Sequence, residues 1–119
     1  MVDMLKALCP TTENEVHEIV AEALASMNKL EIVGGGSKRG LGRAIESARR
    51  LEISNLTGIS LYEPDELVLC AAAGTKLADI QTRLKDEGQW FAFEPPDWRA
   101  LLGNVEGEPT IGGTIACNL

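Results

Sequence analysis

The chain has 119 residues, 45% hydrophobic and 24% charged, with a formal net charge of −7. That length suits one domain and can bury a core without disulfide or metal staples. The acidic balance leaves no basic stripe to meet a phosphate backbone, which argues against general nucleic-acid binding.

The N-terminal MVDMLKALCP has one lysine and a short apolar patch. It lacks the basic and apolar regions of a signal peptide, and no apolar run in the chain is long enough to span a bilayer. PTTENEVHEIVAEALASMNK follows. Thr12 and Glu15 have the spacing of a capping box, in which hydroxyl and carboxylate satisfy helix-end N–H groups reciprocally. Val16, Ile19, Val20, Ala23, Leu24 and Met27 recur at helical spacing, predicting a helix from about Glu13 to Asn28. His17 sits beside that stripe and reads as a partly exposed helix residue. LEIVGGG predicts a short strand running into glycines. Further strands are expected near Arg50–Ile53, Gly58–Tyr62 and Leu67–Ala72, the last two paired as an antiparallel hairpin around the turn EPDE.

TKLADIQTRLKDEG predicts a second helix. Leu77, Ile80 and Leu84 face inward, Thr75 is placed to cap its start, and Gly88 can end it where a positive φ is needed. Beyond Trp90 the periodicity dissolves into a proline- and glycine-rich stretch that reads as a long ordered loop, which is uncommon unless functional. Within it, EPTIGGTIACNL places Gly112, Gly113 and Thr114 in an apolar, strand-like context. Two helices interspersed with strands give an α+β class with a small mixed sheet. Cys9, Cys70 and Cys117 are scattered and contain no C-x-x-C, which suggests reduced thiols in the cytoplasm. With His17 the single histidine, a zinc site has no case, and no metal is expected.

The stretch EIVGGGSKRGLGR places five glycines between Gly34 and Gly42. Consecutive N–H groups with no side chains in the way can wrap an anion. The spacing excludes the two commonest phosphate loops. A Walker A loop needs Gly-Lys-Ser/Thr after four residues, and no glycine here supplies that ending. The dinucleotide fingerprint counted from Gly34 and Gly36 needs glycine where Arg39 stands. A glycine-rich surface loop is the plain alternative. A second glycine cluster at Gly112-Gly113 shifts the balance toward one long ligand clasped from two sides.

Taken in order, the PTT-x-x-EV helix start, VGGGS, YEPDELV, AAAGTKLADI, EPP and TIGGTIA resemble the FAD-binding domain of the vanillyl-alcohol oxidase and p-cresol methylhydroxylase (PCMH) type. GGGSKRGLGR, YEPDELVL and FEPP look most like its glycolate-oxidase branch, which oxidises 2-hydroxy acids. The resemblance covers the chain from about Cys9 to Leu119. It implies that Gly34, Gly35, Gly36, Ser37 and Lys38 wrap the FAD pyrophosphate. Gly112, Gly113 and Thr114 would approach from the other side, and Pro95, with Pro96, would shape the adjoining wall. Some members attach FAD covalently through a histidine in the first loop. Ser37 stands there in this chain and His17 lies on a helix, so the cofactor is expected to be non-covalent.

The resemblance also implies that residues 1–119 are the N-terminal part of a flavin domain, with the rest of that domain and the substrate domain absent. No catalytic residue is assigned. Half a cofactor site holds its ligand weakly, so little or no FAD is expected on this chain alone, with self-association through exposed apolar surface. In the full protein a small-molecule hydroxy acid and other subunits of an oxidase complex are the implied partners, at a cytoplasmic location or at the inner face of the membrane through those subunits. Two rival readings remain: another PCMH-type FAD oxidoreductase, and a non-catalytic nucleotide-binding or assembly module.

Overall fold

A computed structural model describes residues 6–44, 49–103 and 106–118. The capping box forms as its spacing predicts: the Glu15 N–H donates to Thr12 Oγ1 at 3.2 Å, and Glu15 Oε2 accepts from the Thr12 N–H at 3.3 Å. It starts helix α1 (Glu13–Ala25). The same carboxylate accepts from the Thr11 N–H and hydroxyl, and these bonds hold its pKa below the usual glutamate range. α1 ends three residues before the expected Asn28. Asn28 N–H returns to the Ala23 carbonyl and Met27 N–H to that of Leu24. This is a Schellman closure with Met27 at φ 54 in the left-handed position usually given to glycine. Of the apolar stripe, Ala23 is buried, while Leu24 is 74% and Met27 86% exposed.

Strand β1 (Leu30–Val33) pairs in parallel with β2 (Arg49–Glu52), Leu30 opposite Arg49 and Val33 opposite Glu52. Leu8 adds one parallel bridge beside Leu51. Strand β3 (Ile59–Glu63) pairs antiparallel with β4 (Val68–Ala71), as the hairpin reading requires. The EPDE turn is a 3-10 turn over Pro64–Glu66, closed by Leu67 at φ 56. The strands thus form two separate two-stranded sheets rather than one mixed sheet. The segment between them stitches the pairs together: Ile53 N–H donates to the Val33 carbonyl, and Gly74 N–H to that of Leu56.

Helix α2 (Leu77–Asp86) buries Leu77, Ile80 and Leu84, the three positions its periodicity marks. Gly88 follows it at φ 67. The expected cap does not form. Lys76 is the N-cap, and it makes no side-chain cap bond. The Thr75 hydroxyl instead accepts from the Gly58 N–H at 3.0 Å and donates to the Gly58 carbonyl at 3.2 Å. The Leu77 N–H, a first-turn donor left open by the missing cap, goes to the Pro109 carbonyl at 3.0 Å. Lys76 and Thr110 thereby form an isolated antiparallel bridge.

The stretch after Trp90 contains two short helices, α3 (Arg99–Leu102) and α4 (Ile111–Cys117). The strand-like reading of TIGGTIA is therefore corrected. Thr110 accepts from the Gly113 N–H at 3.2 Å and caps a helix, so local capping outweighs the β-branched residues. Among the described residues, Leu51 and Ile80 are the most deeply buried large side chains, at 1% and 0% exposure. The radius of gyration is 15.9 Å, against about 13.5 Å for a compact chain of this length. The molecule is a slab 20 Å thick, and large apolar side chains such as Leu24, Met27, Leu67 and Trp90 stay exposed on several of its elements.

Candidate cofactor site

At the end of β1 the backbone leaves the sheet through Gly34–Gly36. Gly36, at φ 76, turns the chain so that the Arg39 N–H returns to its carbonyl at 3.3 Å. The segment Glu106–Thr110 lies directly against this loop. A Cβ on Gly35 would coincide with the Glu108 carbonyl, and one on Gly34 with Thr110 Oγ1. A Cβ on Gly107 would in turn meet the Gly35 carbonyl. The first use of these glycines is thus the close approach of two backbones. Their remaining faces line an open cavity of about 610 Å³, within the range of small-molecule pockets, about 300–1,000 Å³.

Four cations also line the cavity: Arg39, Arg50, Lys76 and Arg99. Glu52, Glu106 and Glu108 line it as well, so the wall is close to charge balance. Each cation has a carboxylate partner. Arg39 Nη2 lies 2.8 Å from Glu31, and Arg50 lies 3.8 Å from Glu31 and 3.4 Å from Glu52. Lys76 Nζ is 2.5 Å from Glu108. That contact raises the lysine pKa and lowers the glutamate's. Arg99 donates to Asp97 through Nε at 2.9 Å and Nη2 at 2.7 Å, and through Nη1 to the Gly107 carbonyl at 3.5 Å. These hydrogen bonds from Arg99 hold the Asp97 carboxyl down to about 2. Lys76 and Arg99 together tether the Glu106–Thr110 segment across the glycine loop.

Of the residues named from sequence, Gly34, Gly35 and Gly36 sit on the cavity wall. Ser37 is buried and Lys38 half-buried just beyond them. Pro95 is half-buried in the loop ahead of α3. Gly112 and Gly113 lie in the first turn of α4. A Cβ on Gly112 would stand 2.7 Å from the Ala73 Cβ, so this glycine lets α4 lie on the backbone that precedes α2. Thr114 is buried and donates to the Thr110 carbonyl at 3.0 Å. Sequence reasoning placed Arg99 near the site without giving it a role, and it missed Thr110, Gly107, Arg39, Arg50 and Lys76. Thr110, three residues ahead of Gly113, was a legible N-cap candidate, whereas nothing local to Arg50 or Lys76 announces that they converge with Arg99.

The chain belongs to the FAD binding domain family, whose sequence model matches residues 5–118. It is 36% identical over 102 residues to the glycolate oxidase subunit GlcE of Escherichia coli (strain K12), covering 86% of this chain and 27% of that protein. It also superposes on alkyldihydroxyacetonephosphate synthase with a TM-score of 0.66 at 18% identity, over 91% of this chain and 19% of the other. That likeness shows the fold. The resemblance to a PCMH-type FAD-binding domain read from the ordered motifs is borne out. The chain spans less than a third of the length of each of these relatives.

The lining of the cavity suits a phosphate-bearing ligand of the kind the family binds. Bare backbone at Gly34–Gly36 and Gly107 admits close approach, and guanidinium and ammonium donors that already hold carboxylates stand on the same wall. Arg50 also carries a buried Nε with no hydrogen-bond partner among the described residues.

Proposed function

We propose that this chain holds the diphosphate of FAD in an oxidoreductase that converts a 2-hydroxy acid to a 2-oxo acid. The observation that carries this reading is the cavity at the end of β1, where the glycine loop and four cations meet. The substrate class is supported by the 36% identity to a glycolate oxidase subunit. When bound, FAD supplies the acceptor for the hydride of the hydroxy acid. The residues of this chain bind and orient. Gly34–Gly36 and Gly107 let the ligand reach the backbone, Ser37 and Lys38 extend the loop, and Gly112, Gly113 and Thr114 set the helix whose N-cap, Thr110, closes one side of the cavity. Pro95 shapes the approach to α3.

Binding is non-covalent, because Ser37 occupies the loop position where attachment would need a histidine, and His17 is exposed on α1. Yellow colour retained in an acid-precipitated pellet would overturn this. Binding to the chain alone is weak, since few contacts offset the cost of immobilising so large a ligand. Titrating the ¹⁵N-labelled chain with FAD up to millimolar concentration tests the reading. Saturable amide shifts centred on Gly34–Gly36 are expected, and their absence refutes it.

The relative's name describes it as a subunit, and further subunits are proposed as partners of the full protein. Among the described residues no helix is long and apolar enough to cross a membrane. The three cysteines are free thiols, in keeping with a cytoplasmic site or contact with a membrane through partners. At high concentration a second copy of this chain is proposed to cover the apolar groove where Leu67, Val68, Trp90, Ile111 and Ile115 are brought together. Light scattering that shows only monomer at millimolar concentration would count against it.

A further inference from the structure

The carboxylate of Glu31 is unusual among the acids of this site. It stands on β1, just before the glycine loop, and its side chain is only 14% exposed. Three elements meet there. Arg39, from the far end of the glycine loop, reaches back to both carboxylate oxygens, with Nη2 at 2.8 Å from Oε1 and 3.2 Å from Oε2. Arg50, from β2, brings its Nε to 3.8 Å, which is an ion pair without a hydrogen bond. Arg39 and Arg50 both line the cavity, whereas Glu31 does not. The stem of Arg39 runs past the glycine turn, its Cδ 3.5 Å from where a Cβ on Gly36 would be. The Glu31–Arg39 pair therefore closes the glycine loop on itself and fixes a guanidinium at its mouth.

A guanidinium is a planar fork suited to phosphate oxygens, and its value as a ligand depends on being held in place. We infer that Arg39 is a diphosphate ligand and that Glu31 is its positioning residue, setting the affinity of the cavity for diphosphate esters by pinning Arg39 beside Arg50. This rests on the FAD reading above and adds to it a distinct role for Arg39, the positioning residue Glu31 and a direction of effect. That direction is diagnostic. Removing the negative charge of Glu31 by itself would make the cavity more positive and tighten anion binding about twofold. Losing the pinned guanidinium weakens it. If Glu31 acts through Arg39, Glu31→Gln weakens binding although it removes a repulsive charge.

The test uses the ¹⁵N-labelled chain and three probes: FAD, inorganic pyrophosphate, and riboflavin, which carries no phosphate. Amide spectra of each variant report that it remains folded. Arg39→Gln should weaken FAD and pyrophosphate about tenfold, the worth of a charge-assisted hydrogen bond. Glu31→Gln should weaken both about threefold to tenfold. Arg39→Lys should recover only part of the loss, because it restores the charge without the fork. Riboflavin should not distinguish any variant from the parent. The double variant Glu31→Gln/Arg39→Gln should bind no more weakly than Arg39→Gln alone, since Glu31 then has nothing to position. Unchanged or tighter binding in Glu31→Gln overturns the inference, as does a double variant weakened by the product of the two single effects. If FAD binds the parent but neither single variant differs from it, the inference fails and the FAD reading stands. If pyrophosphate saturates and responds to both variants while FAD does not bind, the FAD reading fails and the anion clasp stands. Binding of neither probe to the parent overturns both.

Discussion

The two glycine segments looked alike as strings and differ in what they do. At Gly34–Gly36 the missing side chains admit another backbone: Glu108 lies where a Cβ of Gly35 would be, and the exposed remainder lines the cavity. At Gly112–Gly113 the missing side chains lie inside a helix, where glycine is otherwise unfavourable by about 1 kcal/mol relative to alanine. Gly112 is tolerated there because α4 packs on Ala73, while Gly113 meets only Thr110 Oγ1 at 3.2 Å. A glycine in a motif can thus admit a neighbouring loop backbone or a helix contact, and the spacing of the motif does not say which.

Alanine substitutions separate the two segments. Gly35→Ala should have the largest effect, because backbone on both sides must move. A loss of about 3 kcal/mol in urea unfolding is expected, and a loss below 1 kcal/mol would mean that Glu106–Thr110 does not press on the loop. Gly112→Ala gains helix propensity but crowds Ala73, for an expected net loss of about 1–2 kcal/mol. Thr110→Ala removes the N-cap of α4 and should cost about 1 kcal/mol. The same denaturation series should show Gly113→Ala as neutral to about 0.5 kcal/mol stabilising, the opposite sign to its neighbour.

The smallest effect concerns the tether. Asp97 titrates near 2 instead of 3.8 because Arg99 donates to it. A lowered pKa in the folded state contributes stability that is complete above the unfolded value and is lost as pH falls from about 4 through 2. The carboxyl is exposed, so the contribution is small. Arg99→Gln should return the Asp97 ¹³C carboxyl titration toward the ordinary aspartate range. If the titration midpoint stays near 2, something other than Arg99 holds it.

Much of the fold was legible because it depends on short-range chemistry. The capping box at Thr12, the buried positions Leu77, Ile80 and Leu84, the β3–β4 hairpin and the positive φ of Gly88 all follow from residues within a few positions of one another. The failures have a common cause. Thr75 looked like a cap, but a partner at Gly58, 17 residues away, took its hydroxyl. TIGGTIA looked like a strand, but Thr110 was placed to cap a helix against Ala73. The α1 stripe looked like a buried face, yet Leu24 and Met27 remain open.

Family membership, the order of the elements and the bare glycine loop at the end of β1 were all readable from the residues alone. Recurrent motifs record those directly, and each motif is a local pattern of backbone freedom and capping. Only the tertiary structure decided which charges surround the loop. Arg39, Arg50, Lys76 and Arg99 come from four separate segments. Their convergence depends on β1 pairing with β2 and on Glu106–Thr110 crossing both Gly35 and Lys76, contacts between residues that are strangers along the chain.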